Sequence, residues 1–395
     1  MAWGEVKVEE QRKLFISTYL EERYTMAALC RQFNISRQIG YKWVQRYKKE
    51  GLSGLMDRSK APFTQANKTD SKIIEHILKV KFENSNWGPK KVHGYLIRTQ
   101  PLIEWPSKTT IGNIFDKYGL TVPRKYRKRL PVRTEPLAHC KQLNDVWCMD
   151  FKGWFITKDD RKCEPFTLTD AHSRYLIRCL NLFANDTENV WSVLDAAFRE
   201  YGLPTYIRSD NGPPFATCSA GRLSPLAVRL IKAGIMPEWI EPGEPQQNGR
   251  HERMHLTLKK EAIYPNILTL EEQQMRFAEF QHYYNFVRPH EALGQIPPGV
   301  VYQPSRRIWN GRLESPEYPD MHEVIRVRSC GKMAWKGGDV YISRALANEP
   351  VGLKRNDVDG SFTTYYGPIL LGVLTKENEF KINRRPGRIK KRKSM

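Results

Sequence analysis

Apolar residues near the N-terminus recur at helical spacing: Ala28, Leu29, Phe33, Ile35, Ile39 and Trp43 can all face one small core. Thr25 is placed to cap a short helix, MAALCRQF, and Asn34 marks a break. Ser36 is placed to cap RQIGYKWVQRYKKE, which Gly51 stops. The pattern predicts a helix-turn-helix unit over residues 6–60. Arg37, Gln38, Tyr41 and Lys42 point outward near the start of its second helix, where side chains can reach base edges in a major groove. A second unit is expected over 68–122. Asp70 opens SKIIEHILKVKF, WGPKKVHGYLI follows, and Pro106-Ser107 introduces KTTIGNIFDKYG, with Lys108, Thr109 and Thr110 at its exposed start. A plain helical bundle with a solvated polar face has the same periodicity, so the pattern alone leaves both readings open.

From Asn144 the pattern changes. DVWCMDFKGWFI and FTLTDAHSRYLIRCLNLF read as strands joined by hairpin turns, followed by the helix ENVWSVLDAAFREYG and the short strand TYIRSD. A helix near Leu226 to Ala233, the strand MPEWIEP and two helices after Gly249 and Leu270 complete the block. Strands by hairpin and then strands interleaved with helices predict an α/β domain with a mixed sheet over 143–300. Beyond Pro319 short β segments predominate, with Asp359-Gly360 as a hairpin turn, and predict a small all-β, barrel-like or sandwich domain over 319–382.

Charge turns these elements toward a partner. Lys and Arg number 64 against 43 Asp and Glu, a net charge of +21, which points to a polyanion and most simply to nucleic acid. Two tandem helix-turn-helix patterns in so basic a chain favour double-stranded DNA. PRKYRKRLPVR, within a stretch 123–142, reads as an extended linker that lays Arg124, Lys125, Arg127, Lys128 and Arg129 along phosphates. RRPGRIKKRKSM closes the chain as a basic arm over 383–395. Apolar runs such as Pro368 to Leu374 fall far short of a membrane span, and no signal peptide is visible at the N-terminus. Seven cysteines without a C-x-x-C pair suit reduced thiols in a cytoplasm.

Candidate chemistry lies in the carboxylates. HERMH, His251 to His255, has the H-E-x-x-H form of a zinc protease helix, for which Glu271, Glu272 or Glu279 could supply a further ligand. The preceding EPGEPQQNG instead puts Glu252 in the first turn of a helix, with the two histidines facing solvent or DNA. Asp150 lies inside an apolar strand, where a charge is costly unless used, and Asp210 ends TYIRSD at a strand-to-loop corner. Three acids at these places can meet at one sheet edge as oxygen-only ligands suited to Mg²⁺ or Mn²⁺. Two such ions would hold the attacking and leaving oxygens of an in-line phosphoryl displacement. Asp145, Asp170, Glu241 and Glu244 are rival acids. Asp170 reads better as a turn cap or a partner of Arg174, and the two glutamates lie among prolines and glycine. Lys259, seven residues after Glu252, is a candidate DNA contact near the metals.

The blocks MDFKG, TDAHSRY, SDNGPPF, PQQNGRHERMHLTLK and YNFVRPHEALG together resemble the catalytic core of bacterial insertion-sequence transposases of the retroviral-integrase-like group. GLSGLMDRSKAP and WGPKKVHGYL…WPSKTTIGNIF resemble their N-terminal units. The resemblance spans roughly 10–301. It implies a ribonuclease-H-like fold and a DDE triad, with Asp150, Asp210 and Glu252 as its catalytic, metal-holding acids. It further implies binding to terminal inverted repeats, 3′-end nicking, joining to target DNA, and a dimer or larger assembly on paired ends. The triad gaps are 59 and 41 residues, the second longer than in typical integrases, which sets the segment from Pro213 to Gly234 apart. A non-catalytic helix-turn-helix regulator derived from a transposase, and a structure-selective nuclease, are the competing functions.

Overall fold

The computed structural model describes residues 8–58, 68–121, 137, 139–241 and 245–383. The chain divides into two compact units, Met1–Thr69 and Asp70–Met395.

The first unit contains α1 (Val8–Leu20), α2 (Met26–Gln32) and α3 (Arg37–Glu50). The expected caps form: Thr25 accepts from the amide of Ala28 and Ser36 from that of Ile39. Gly51 ends α3 at φ +63°, a conformation that costs glycine little. Phe15, Leu29, Ile35, Trp43 and Leu55 make up the core, and the helix α1 that supplies Phe15 lies upstream of the two helices delineated from sequence.

In the second unit, α4 (Ser71–Glu83), α5 (Pro89–Thr99) and α6 (Lys108–Lys117) form the second helical trio, with Asp70 and Ser107 as caps. The mixed domain follows: β1 (Val146–Phe151), β2 (Phe155–Ile156), β3 (Lys162–Cys163), β4 (Pro165–Asp170), β5 (Leu176–Asn181), α7 (Thr187–Tyr201), β6 (Tyr206–Ser209), α8 (Pro225–Lys232), β7 (Met236–Trp239), α9 (Gly249–Leu258), α10 (Leu270–His282) and the short α11 (Pro298–Val301). Its sheet runs β5-β4-β1-β6-β7, with β4 antiparallel to both neighbours and β1, β6 and β7 parallel. This is the ribonuclease-H-like order, with the first strand at the centre. One face packs on α7 and α8 through Phe166, Leu194, Phe198 and Leu226, the other on α9 and α10 through Leu176, Leu258, Phe277 and Phe280.

The C-terminal region is all-β: β8 (His322–Arg326), β9 (Lys332–Trp335), β10 (Gly338–Tyr341), β11 (Pro350–Arg355), β12 (Phe362–Tyr366), β13 (Ile369–Leu374) and β14 (Phe380–Ile382). Five strands form one antiparallel sheet, β14-β13-β12-β11-β8, and β9 with β10 forms a hairpin.

The segment between Asp210 and Glu252 also contacts the C-terminal region. α8 is apolar on two sides: Leu226 and Leu230 enter the core of the mixed domain, while Ala227, Val228 and Ile231 join Val351, Tyr366 and Leu371 of the β region. At Gly221, φ +62°, a Cβ would lie 2.9 Å from Ile369 and 3.0 Å from Leu371, so only glycine permits this approach. Lys232 and Glu349 pair across the seam at 2.6 Å. The segment between Asp210 and Glu252 therefore carries the seat of the C-terminal region.

Candidate functional site

Sheet order delivers the carboxylates. β1 and β6 are adjacent and parallel, so their C-terminal ends share one edge. That places Asp150, next to the end of β1, near Asp210, the residue after β6. The amide of Gly212 donates to Asp210 Oδ1 at 3.1 Å, which fixes the carboxylate at the corner. α9 starts at Gly249 and carries Glu252, exposed, in its first turn. The residue before it, Asn248, donates from Nδ2 to Asp150 Oδ2 at 2.9 Å and ties the helix start to the strand.

Electrostatics registers the same convergence. Burial pushes the Asp150 carboxyl up to about 7, and the negative charges of Asp210 and Glu252 add to the rise, against the hydrogen bond from Asn248. Asp210 and Glu252 thus lie close enough to act on Asp150 electrostatically, and carboxylate oxygens are the ligand type that suits a hard divalent cation.

His251 and His255 correct the sequence reading. Neither faces solvent or DNA; they are 2% and 7% exposed, with rings 4.7 Å apart. Thr167 Oγ1 donates to the Asp150 carbonyl at 3.1 Å and lies 2.7 and 2.8 Å from Nε2 of the two histidines. A hydroxyl has a single proton, so both imidazoles must donate from Nε2 to this oxygen, a tautomer assigned from the network. Burial lowers the pair to about 3 and about 2, so both are neutral near pH 7. Asp150, His251 and His255 each offer a ligand atom within 4.8 Å of one another. However, His251 Nδ1 also faces Thr169 Oγ1 at 3.3 Å, so both its nitrogens are occupied. The further zinc ligands are engaged elsewhere too: Glu271 with Arg161, Glu272 with the Thr269 amide, and Glu279 with Arg276. The zinc-protease geometry does not form.

The rival acids have other tasks. Asp170 is fully buried and accepts from the amides of Asn144 and Ser173 and from the Ser173 hydroxyl, so it caps a turn and does not pair with the Arg174 side chain. Asp145 caps the amides of Lys141 and Gln142. Glu241 is exposed, and its amide donates to Gln247 Oε1 at 3.0 Å; Glu244 lies outside the described residues.

On the DNA-facing candidates the structure is uneven. Arg37, Gln38, Tyr41 and Lys42 are exposed at the start of α3. Lys108 and Thr109 are exposed on α6, but Thr110 is half-buried and 3.2 Å from the capping Ser107 hydroxyl. Lys259 is exposed directly after α9, its ammonium 5.1 Å from the Tyr264 ring. Arg124, Lys125, Arg127, Lys128 and Arg129 lie outside the described residues, as does nearly all of the basic C-terminal arm. Among the described residues no helix is long and apolar enough to cross a membrane. Sequence reasoning missed Asn248 as a partner of Asp150 and the buried His–Thr network; only the short spacing of Asn248 ahead of Glu252 hinted at the former.

Comparisons with known proteins agree with this architecture. Residues 12–63 match a helix-turn-helix domain family and 39–115 a homeodomain-like domain family. Residues 141–245 and 233–298 match integrase core domain families, and 322–378 the C-terminal domain of IS481 family transposases. An uncharacterized 39.2 kDa protein of insertion element IS476 from Xanthomonas euvesicatoria is 25% identical over 239 residues, 60% of this chain and 64% of that protein. The chain thus spans slightly less than two thirds of that relative. An uncharacterized 31.7 kDa protein of insertion element IS407 from Burkholderia multivorans is 23% identical over 228 residues, 57% of this chain and 79% of that protein. Among solved structures, the HTLV-2 integrase catalytic core domain in complex with magnesium aligns at TM-score 0.32 and 16% identity, covering 40% of this chain and 97% of that one. A simian T-cell lymphotropic virus intasome chain aligns at TM-score 0.35 and 15% identity, covering 78% and 100%. The fold assignment rests on strand order and domain families rather than on these distant superpositions. An integrase core followed by the C-terminal domain of an insertion-sequence transposase family, with similarity to proteins of two bacterial insertion elements, makes this chain similar to the integrase-like group of insertion-sequence transposases.

Proposed function

We propose that the protein is a transposase that binds the terminal inverted repeats of a mobile element, nicks their 3′ ends and joins them to target DNA. What supports this is the placement of Asp150 and Asp210 at the ends of the adjacent parallel β1 and β6, with Glu252 in the first turn of α9, whose start Asn248 ties to Asp150, and the part that Asp210 and Glu252 take in raising the Asp150 carboxyl. They would hold Mg²⁺ or Mn²⁺, two ions per site, for which an all-oxygen, mutually repelling donor set is apt. Bound there, divalent ions supply the Lewis acidity that phosphoryl transfer from water or a 3′-hydroxyl requires. The chain's own part is to aim the acids. Asn248 holds Asp150, the Gly212 amide holds Asp210, and the neutral His251–Thr167–His255 network braces the carbonyl of Asp150 from below. α3, α6 and the basic stretch over 123–142 recognise the DNA ends, with a dimer or larger assembly pairing them. The domain limits 6–60, 68–122, 143–300 and 319–382 belong to this reading.

The test is joining of pre-cut element ends in Mg²⁺ by Asp150→Asn, Asp210→Asn and Glu252→Gln. Each is expected to lose more than about 100-fold, beyond the 10–100-fold usual for groups that only orient a metal ligand. Full joining by any one variant removes that residue from the mechanism. End binding without joining by the wild-type protein would favour the regulator reading.

A further inference from the structure

On the side of α9 away from Asp150 lies a cavity of about 510 Å³. Lys91 of α5, Arg174 of the β4–β5 turn, Arg250 and Arg253 of α9, and Arg288 after α10 line it, with Glu291 as the only acid among the lining residues. The acids nearby are already taken: Glu291 accepts from Lys90 at 2.7 Å, and Glu261 pairs with Arg288. Among the described residues no carboxylate pairs with Lys91, Arg174, Arg250 or Arg253. Two buried nitrogens in the wall, Arg174 Nη1 and His290 Nε2, have no hydrogen-bond partner. Such groups are rare in folded proteins and mark a place for a missing partner. The cations also crowd one another: burial and then Arg250 lower the Arg174 guanidinium, while burial and then Arg288 hold Lys91 down at about 8. An apolar ligand would leave that repulsion in place, whereas a tetrahedral oxyanion would relieve it and accept from the orphaned Arg174 Nη1.

We propose that this cavity is an anion site that takes one backbone phosphate of bound duplex DNA, clamped between the second helix-turn-helix unit and the helix that carries Glu252. The inference rests on the DNA-joining reading above and adds a positioning contact to it. The cavity walls come from α5, the β4–β5 turn, α9 and the segment after α10. Lys91 lies one residue from Lys90, which fixes α5 to Glu291, and Arg250 and Arg253 flank Glu252 in sequence. A phosphate seated here sets the distance from DNA held by α4–α6 to the acidic edge. Phosphate contacts position a protein without reading bases, so the contribution is expected to be independent of sequence.

The experiment uses the full chain, a fluorescein-labelled duplex of random sequence, and anisotropy titrations from about 50 to 200 mM salt. Lys91→Gln with Arg174→Gln is expected to weaken binding and to reduce the slope of log K against log salt by about one, for the one phosphate no longer neutralised. Arg199→Gln with Lys354→Gln, exposed cations elsewhere, supplies the matched change in charge. A double variant that follows this control in affinity and slope overturns the proposal. A folding defect is bypassed on wild-type protein by acetylating its amines and quantifying each lysine by mass spectrometry. The duplex is expected to reduce labelling of Lys91 several-fold more than of Lys354, and equal protection overturns the site. Inorganic pyrophosphate provides the other arm: thermal stabilisation of wild type but not of the variant, with an unchanged DNA slope, assigns the site to free phosphates and overturns the DNA assignment. If wild-type protein joins no ends while Lys91 and Arg174 still set the slope, the functional reading falls and the phosphate site stands.

Discussion

In the first helix-turn-helix unit the core is closed from within. The Arg12 guanidinium lies 4.0 Å from the centroid of the Trp43 ring, donates to the Leu55 carbonyl at 2.9 Å and pairs with Asp57 at 2.8 Å. In the second unit the comparable tryptophan, Trp87, stacks on Tyr283 from the mixed domain, and Tyr283 and Val287 complete its apolar cluster. Tyr283 also donates to Asn84 at 2.6 Å, and Arg98 donates to the Val287 carbonyl at 3.1 Å. At Gly94 an added Cβ would stand 2.6 Å from the side chain of Gln295, so α5 is pressed directly onto the core. Two modules with the same helical pattern thus differ in what finishes them. The first is complete in itself; the second shares its interior with the domain that holds the acids, and its position is set by that domain.

The largest effect expected from this contrast comes from the two tryptophans. Trp87→Ala should cost about 3–5 kcal/mol and spread its damage into α10, because Trp87 is 1% exposed and stacks on the core. Trp43→Ala should cost a similar amount but only within residues 8–58. Hydrogen exchange read by mass spectrometry separates the two, and unchanged protection of α10 in the Trp87 variant would break the comparison.

Lys91 gives the next largest. Its folded pKa, about 8, lies below the unfolded value of about 10.4. Both states are protonated below 8, where the buried charge is a full penalty, and stability rises with pH between these values because the unfolded chain then binds more protons. Lys91→Met should therefore be more stable than wild type at pH 7.5, with the gap closing toward pH 10.4. Urea midpoints across that range check it; a gap independent of pH would mean that Lys91 is solvated and the second unit less tightly seated. The smallest change is Tyr283→Phe, which removes one hydrogen bond between unit and core for about 1 kcal/mol. Urea denaturation measures it, and a zero effect would leave stacking alone as the bond between them.

Legibility followed the range of the forces involved. Caps and stops were readable because they are local: Thr25, Ser36, Asp70 and Ser107 each bond an amide two or three residues on. The acids were picked out from their places at a strand interior, a strand end and a helix start; the two strands are neighbours in the sheet, and Asn248 links the helix start to Asp150. The histidines were misread because helical spacing states only that His251 and His255 share a face. It is the sheet, through Thr167 and Thr169, that covers that face. Thr110 was misread for a similar reason, since the cap hydroxyl lies over it.

Sequence alone determined the helical pattern of both N-terminal units, the alternation that builds a mixed sheet, the strongly basic balance and the identity of the candidate acids. These depend on neighbours a few positions apart and on composition. Tertiary structure decided which carboxylates act on Asp150, that the histidines are neutral and buried, that α8 seats the C-terminal region, and where five cations line one cavity. Each of those facts depends on residues remote in sequence being brought within a few ångströms, where burial, charge and hydrogen bonding act only once the chain has folded.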